Sequence, residues 1–440
     1  MSESKEIAVG KESDPQIVAS FGKYEDAKIQ AFITKKGKEM AAVSHRPNLN
    51  FEFKVLDSPV VNAFAVPGGY VYFTRGILAH FNNEAEFAGV LGHEIGHVTA
   101  RHSAKQYTSQ MLGQGAFLAG ILLSEDFRQY AGEASQGMQL LFLKFGRDNE
   151  SESDELGVEY STKIGYDAKE MADFFQTLKR LTDDGGGRVP TFLSTHPDPA
   201  DRYTKVGQLA EKWRKSTNEK LKVNRNAYLR MIDGLIYGED PRQGYVENDQ
   251  FYHPELKFQY PVPANWRTVN SPAQVQMAPA DGKAIMVFAI AQGTTPEAAA
   301  NDFVKNNQLQ LNDSGRLKVN GLEAFAVTAQ NDKLRVRSYF IQYNNLIYNF
   351  QGIASLTDFA NYQNDFEYTM RNFDSLSDLS KINVNPEKIK IKTVGKTASL
   401  TEVFRTLDMP TQRFKELAIL NGMELTDQVI KGTLIKVIGK

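Results

Sequence analysis

The stretch VLGHEIGHVTARH, residues 90–102, holds three of the seven histidines in a chain of 440 residues. It lies inside a longer run, EAEFAGVLGHEIGHVTARHSAKQ, whose apolar residues recur at helical spacing. A helix here constrains the fold more than any other segment, because it fixes where the reactive side chains point. Successive residues turn by about 100°, so His93 and His97 fall about 40° apart around the axis and one turn apart along it, where both imidazoles reach one metal ion. Glu94 projects beside them, where a carboxylate holds and deprotonates a water. On a continuous helix His102 falls about 180° from His93, so it is expected outside the site as a structural or exposed residue. Gly92 and Gly96 each cost about 1 kcal/mol of helix stability against alanine, a cost that makes sense where a neighbouring backbone or a substrate comes close.

A catalytic zinc takes three protein ligands and leaves its fourth position to water. The chain has no cysteine to serve as the third. The extended pattern with a glycine three residues and a histidine six residues beyond the pair fails as well, since positions 100 and 103 hold Ala100 and Ser103. The remaining cluster is DNESESDELG, residues 148–157, in which Glu150 and Asp154 are four apart on a predicted helix and share a face, while Glu152 points away. Glu150 is therefore the expected third ligand. Asp154 is the expected acceptor for the second ring N–H of a ligating imidazole.

Beyond the site, the chain reads as an α+β protein of three parts. Residues 1–240 are mainly helical with a small β-sheet: a helical pattern spans 20–44, FEFKV alternates, and VVNAFAV and YVYFT flank Pro67, Gly68 and Gly69 as a hairpin. Asn82 and Asn83 are placed to cap the histidine helix. Residues 183–190, DDGGGRVP, break the helical pattern. Residues 246–376 carry β-prone runs with intervening helices, as expected for an antiparallel sandwich, and a polar linker leads to a last unit at 387–440. Lys plus Arg total 51 against 53 for Asp plus Glu, so no broad field attracts nucleic acid or an anionic membrane, and no nucleic-acid partner is expected. The most apolar run, MLGQGAFLAGILL at 111–123, falls short of the roughly 20 residues that cross a bilayer, so no transmembrane span is expected. The opening MSESKEIAVGKESD lacks an apolar signal core, which fits a cytoplasmic chain or an exported one shown without its signal.

In this order, the segments NAFAVPGGYVYFTRG (62–76), LGHEIGHVTARH (91–102), GRDNESESDELG (146–157) and STHPDPADR (194–202) resemble the gluzincin metallopeptidases. The likeness is closer to the family that includes HtpX, the CAAX prenyl proteases and BepA, in its soluble bacterial branch. It covers about residues 5–215, with Gly146 standing where many relatives have serine. The resemblance implies a zincin-like domain with one zinc ion on His93, His97 and Glu150, hydrolysing peptide bonds of misfolded or envelope proteins with Glu94 as base. It further implies that the edge strand at Asn62, Ala63 and Phe64 receives an extended polypeptide. His196 would approach the zinc, either to bind the developing oxyanion or to occupy the open position as a latch, with Arg202 anchoring its loop. A periplasmic or cell-envelope location is implied in the same way.

The middle part resembles a PsbP/Mog-type domain, read as a binding or positioning module or as scaffold. The last resembles a LysM module of strand, two helices and strand, whose family binds peptidoglycan. Its usual Gly-Asp-Thr opening is Gly395, Lys396 and Thr397 here, so glycan binding and a non-binding remnant are both open. Two other readings compete with the peptidase: a latched, non-cleaving chaperone or cell-wall-associated binding protein, and an enzyme acting on peptidoglycan cross-links. His45, His80 and His253 lack partners at metal spacing and are expected to be structural.

Overall fold

The computed structural model describes residues 1–106, 145–184, 191–196 and 199–440, which divide into two compact units. The apolar run 111–123 and most of the break at 183–190 lie outside the described residues. Among the described residues no helix is long and apolar enough to cross a membrane.

The first unit begins with two helices, α1 (Glu3–Phe21) and α2 (Ala27–Ala41). The single helical pattern expected over 20–44 is split because Gly22 leaves the helix with φ +73° and Asp26 starts a new one, accepting the N–H groups of Lys28 and Ile29. Strands β1 (Glu52–Leu56), β2 (Ala63–Val66) and β3 (Tyr70–Thr74) form a sheet of order β1-β3-β2, so β2 is an edge. β2 and β3 make the expected hairpin, with Gly68 and Gly69 at φ +87° and +95° in its turn. Helix α3 (Arg75–His80) leads to α4 (Glu84–Thr99), the histidine helix, which Asn83 caps by accepting the Glu86 N–H at 2.8 Å. Helices α5 (Arg147–Lys163), α6 (Lys169–Asp184), α7 (Thr191–Thr195), α8 (Pro199–Ser216) and α9 (Arg225–Met231) follow.

The second unit, residues 240–385, holds a four-stranded sheet of β4 (Tyr245–Glu247), β5 (Gln250–His253), β6 (Phe258–Pro261) and β14 (Asp374–Ser375). Its main sheet has seven strands in the order β10-β11-β12-β13-β9-β8-β7, every pair antiparallel. These strands are β7 (Arg267–Asn270), β8 (Gln274–Ala278), β9 (Ala284–Ala291), β10 (Gln310–Val319), β11 (Leu322–Gln330), β12 (Leu334–Tyr343) and β13 (Leu346–Ser355). Helices α10 (Pro296–Asn306) and α11 (Phe359–Arg371) cover it. An aromatic core of Tyr260, Phe288, Phe350, Phe366 and Phe373 holds the unit together, and Gly352 leaves the room that the Phe366 ring fills.

Residues 386–440 return to the first unit. They run through β15 (Lys388–Thr393), the two-residue β16 (Ala398–Ser399), α12 (Leu400–Thr406), α13 (Phe414–Leu420), β17 (Gln428–Val429) and β18 (Leu434–Gly439), with β15 and β18 antiparallel. The segment expected as a last unit thus has the strand-helix-helix-strand order, and it shares one core with α3 and α4: Ile389, Phe404 and Ile435 belong to the same buried cluster as Leu78, Phe81 and Phe87. Main-chain bonds add to the join, since Ile389 donates to Leu235 O and accepts from Gly234 N–H, both at 2.8 Å.

Lys436 is the polar centre of that contact. In an apolar strand a lysine reads as an outward residue, yet this one is fully buried and donates through Nζ to Ala79 O and Phe81 O, each at 2.9 Å, at the junction of α3 and α4. Asn421 brackets its main chain, accepting the Lys436 N–H and donating to Lys436 O at 2.8 Å. Burial pushes the Lys436 ammonium down and the Glu86 carboxyl on α4 up, and each opposes the other's shift by its charge.

Replacing Lys436 by methionine is expected to destabilise the chain by roughly 1–3 kcal/mol, because two buried carbonyls lose their donor. Chemical denaturation checks this, and an unchanged midpoint contradicts it. His80 offers a pH test of the same region. It donates from Nδ1 to Gly76 O at 2.7 Å, and burial pushes its pKa from 6.5 down to about 4. Between those values the folded chain binds fewer protons than the unfolded one, so this contribution is complete above 6.5 and is lost as pH falls to about 4. The stability gap between wild type and His80→Gln should therefore narrow over that interval, and parallel curves would contradict the assignment.

Candidate metal centre

The site begins with a glycine contact. A Cβ on Gly92 of α4 would stand 2.8 Å from Gly157 O on α5, and one on Gly157 would stand 2.9 Å from His93 N, both closer than real Cβ atoms come. Gly96 faces Ser153 at 3.2 Å in the same way. The two helix backbones meet directly, as the glycines of the motif anticipate, and this brings a carboxylate on the first turn of α5 to two imidazoles on α4.

The atoms that converge are His93 Nε2, His97 Nε2, Glu150 Oε1 and Oε2, and His196 Nδ1, all buried. His93 and His97 are 3.0 Å apart at Nε2, and His196 Nδ1 lies 3.2 Å from His93 Nε2 and 3.0 Å from Glu150 Oε1. Glu150 is 3.4 Å from His97 Nε2 and 3.6 Å from His93 Nε2. Zinc bonds of about 2.0–2.2 Å in a tetrahedron place neighbouring ligand atoms roughly 3.3–3.6 Å apart, close to this set.

Hydrogen bonding supports the same conclusion. His93 Nδ1 lies 2.9 Å from Asp154 Oδ1 and donates to it, so a ring with one N–H turns the lone pair of Nε2 toward the cluster. An imidazole lone pair facing a carboxylate and further imidazoles at such distances calls for a cation among them. The residues fit zinc.

The carboxylates are held by Arg202. It donates to Asp154 through Nε and Nη2 at 2.8 and 2.6 Å, brings Nη1 to 3.0 Å from Glu150 Oε2, and stacks 4.4 Å from the centre of the Phe175 ring. Burial raises the Asp154 and Glu150 carboxyls, but neighbouring charge outweighs it: Arg202 holds Asp154 low, and His196 holds Glu150 well below the carboxylate range. Glu94 differs. Its Oε1 is buried with no hydrogen-bond partner among the described residues, 3.7 Å from His196 Nε2, and burial raises its pKa.

The structure thus gathers His93, Glu94, His97, Glu150, Asp154, His196 and Arg202 in one place. Asn62, Ala63 and Phe64 lie along β2, where Phe64 stacks on Tyr72 with ring centres 4.9 Å apart. Along β2 and the residues before it chain atoms take two carbonyls: Val61 O, two residues ahead of the strand, accepts from Phe192 N–H, and Ala65 O in the strand from Ser103 Oγ, each at 3.2 Å.

Two expectations are corrected. The histidine helix does not run on to residue 106; it ends at Thr99, and Arg101 takes φ +62° before a helical stretch resumes at 102–106. His102 is consequently structural and not exposed: it stays out of the ligand set, as expected, but is buried against it, with Nδ1 3.1 Å from His97 Nδ1 and Nε2 3.1 Å from Glu152 Oε2. Two aromatic neighbours had no signal in the sequence. Phe145 lies 4.2 Å from the His97 ring and Phe192 stacks 4.5 Å from the His196 ring, yet each reads as ordinary core.

Comparison with known proteins agrees with this geometry. The model of Peptidase family M48 matches residues 27–210. The chain is 34% identical over 186 residues to mitochondrial metalloendopeptidase OMA1 of Arabidopsis thaliana, covering 42% of this chain and 36% of that protein. It is 33% identical over 198 residues to a putative beta-barrel assembly-enhancing protease of Vibrio cholerae, covering 43% and 40%. Metalloprotease YcaL of Escherichia coli is 29% identical over 178 residues, covering 38% and 68%. Residues 27–210, which hold all seven side chains of the site, are thus similar to Peptidase family M48 and to relatives named as metalloproteases. The chain spans about two-fifths of the length of the first two relatives. Among solved structures, cyanobacterial PsbP from Synechocystis covers 29% of this chain and 91% of its own at 10% identity with a TM-score of 0.25, a likeness too slight to carry an argument.

Gly157→Ala should force α4 and α5 apart, lowering stability by about 1–3 kcal/mol and weakening zinc binding. Zinc competition against a chromogenic chelator checks this, and wild-type affinity in the variant contradicts the glycine contact as the feature that sets the site.

Proposed function

We propose that the chain is a zinc-dependent endopeptidase whose structure is that of a closed site. The observation that carries the reading is the buried set of His93, His97, Glu150 and His196, with the Glu94 carboxylate at its margin. Zinc held there by His93, His97 and Glu150 would supply a Lewis acid and lower the pKa of a water to about 7. The protein supplies the rest. Glu94 takes the proton of the attacking water and returns it to the leaving amine. Asp154 and Arg202 keep His93 and Glu150 aligned, and β2 offers main-chain groups to an extended peptide.

With His196 in place, all four corners of the set are protein atoms, which is the pattern of a structural rather than a catalytic zinc. His196 differs from the other three in origin, coming just after the short helix α7 and not from the packed pair α4 and α5. We assign it the role of latch. The Val61 carbonyl that Phe192 occupies lies just ahead of the strand a substrate would pair with, so opening would free the metal position and the approach to that strand together. Misfolded or envelope proteins as substrates, an envelope location and peptidoglycan binding by residues 387–440 belong to this proposal and rest on resemblance; sedimentation with purified sacculi tests the last.

Casein or a denatured outer-membrane protein, incubated with and without a zinc chelator, should be cut only without it. Glu94→Gln should keep zinc and lose nearly all cleavage, and His196→Ala should keep zinc and cut faster than wild type. Undiminished cleavage in the Glu94 variant would remove that residue from its role, and slower cleavage in the His196 variant would favour the oxyanion role over the latch.

A further inference from the structure

We infer that His102 is a positioning residue of the metal centre, holding His97 with its Nε2 toward the other ligands through an imidazole-to-imidazole hydrogen bond that ends on Glu152. The inference rests on the metal-binding reading above.

With one N–H on each ring, the geometry allows one arrangement of protons. A carboxylate only accepts, so with Glu152 Oε2 at 3.1 Å the hydrogen of His102 sits on Nε2. Its Nδ1 is then a bare acceptor, and His97 Nδ1, 3.1 Å away, must be the donor. That leaves His97 Nε2 with a free lone pair on the side where His93 Nε2 and Glu150 converge. Ser153 Oγ also approaches His102 Nδ1, but at 3.3 Å and with a hydroxyl that rotates to suit. His102 thus does for His97, at one remove, what Asp154 does for His93. The relay runs outward from a fully buried ligand to a carboxylate whose side chain is 56% exposed.

The chain invests in this placement. His102 reaches His97 because Arg101 enters the left-handed region, a conformation that costs an ordinary residue about 1 kcal/mol or more. Arg101 is anchored there by α1, donating through Nε to the buried Glu6 at 3.0 Å and through Nη2 to Met1 O at 2.7 Å. Glu6 also receives Arg46 at 2.8 Å, whose Nη1 reaches Val98 O in the last turn of α4 at 3.1 Å. The anchor lies before residue 27, where the match to the family model begins.

The test is zinc affinity of the full chain by chelator competition, alongside unfolding of the metal-free proteins. His102→Asn places an oxygen near the Nδ1 position and keeps an acceptor for His97, whereas His102→Leu removes it. The leucine variant is expected to bind zinc about 10–100-fold more weakly, and the asparagine variant close to wild type. In the zinc-loaded protein, nitrogen NMR of the imidazoles should show His97 protonated at Nδ1, with the shift and coupling of a hydrogen-bonded N–H lost in the leucine variant. Wild-type affinity in His102→Leu, or equal loss in both variants, overturns the inference. Should His102→Leu not fold, the exposed Glu152→Ala substitution gives the second reading: weaker zinc binding supports the relay and unchanged binding overturns it. His93→Ala separates the two levels, since retention of zinc in that variant would sink the metal centre itself and not the role of His102 alone.

Discussion

Everything at the site depends on two helix backbones lying in contact. Gly92 and Gly96 on α4 and Gly157 on α5 leave no side chain between them, and only then does a glutamate on the first turn of α5 reach imidazoles that stand a turn apart on α4. The glycines weaken each helix taken alone. Packing of α4 on β2 and of α5 beside it restores what they lose, because Val90, Leu91, Ile95, Val158 and Tyr160 are all in the shared core.

The same contact creates an electrostatic difficulty that defines the chemistry. Three carboxylates and three imidazoles are removed from water within a few ångströms, and burial alone would strip the charge from the acids and the protons from the rings. Arg202 meets part of that demand through Asp154 and Glu150. The rest falls to a cation between the lone pairs. A metal bound among such ligands would stabilise the folded chain, so under the proposed function fold and activity would be coupled through one ion.

Closure also has a physical meaning. His196 and Phe192 belong to one short segment, joined by a hydrogen bond from His196 N–H to Phe192 O at 2.8 Å. One residue stands in the ligand set and the other bonds Val61 O just before β2, so under the proposed function a single displacement would bear on both metal access and peptide binding. At the opposite end of α4, the chain's last strand places Lys436 against the junction that starts the helix, so both ends of the metal-binding helix are held by segments far away in sequence.

Much of this was legible in advance, and the reasons are specific. His93, Glu94 and His97 follow from helical spacing, and Glu150 with Asp154 from a shared face combined with an unfilled ligand position. The hairpin followed from two glycines between β-prone runs. His102 was misplaced because one left-handed residue, Arg101, ends the helix, and nothing in an arginine announces positive φ. Helix α1 went unread because Gly10 and Pro15 blur its pattern, although Gly10 is what lets the helix approach Pro67. The docking of residues 386–440 was hidden for a different reason: a lysine inside LIKVI looks solvated until a pair of carbonyls is found waiting for it.

The central claim is most directly tested by X-ray absorption at the zinc edge on the full chain purified without added metal. The account expects one zinc per chain, surrounded by four nitrogen or oxygen atoms at about 2.0–2.2 Å with the outer-shell scattering of imidazole rings. A chain that holds no zinc, or a six-coordinate ion lacking imidazole scattering, would contradict it.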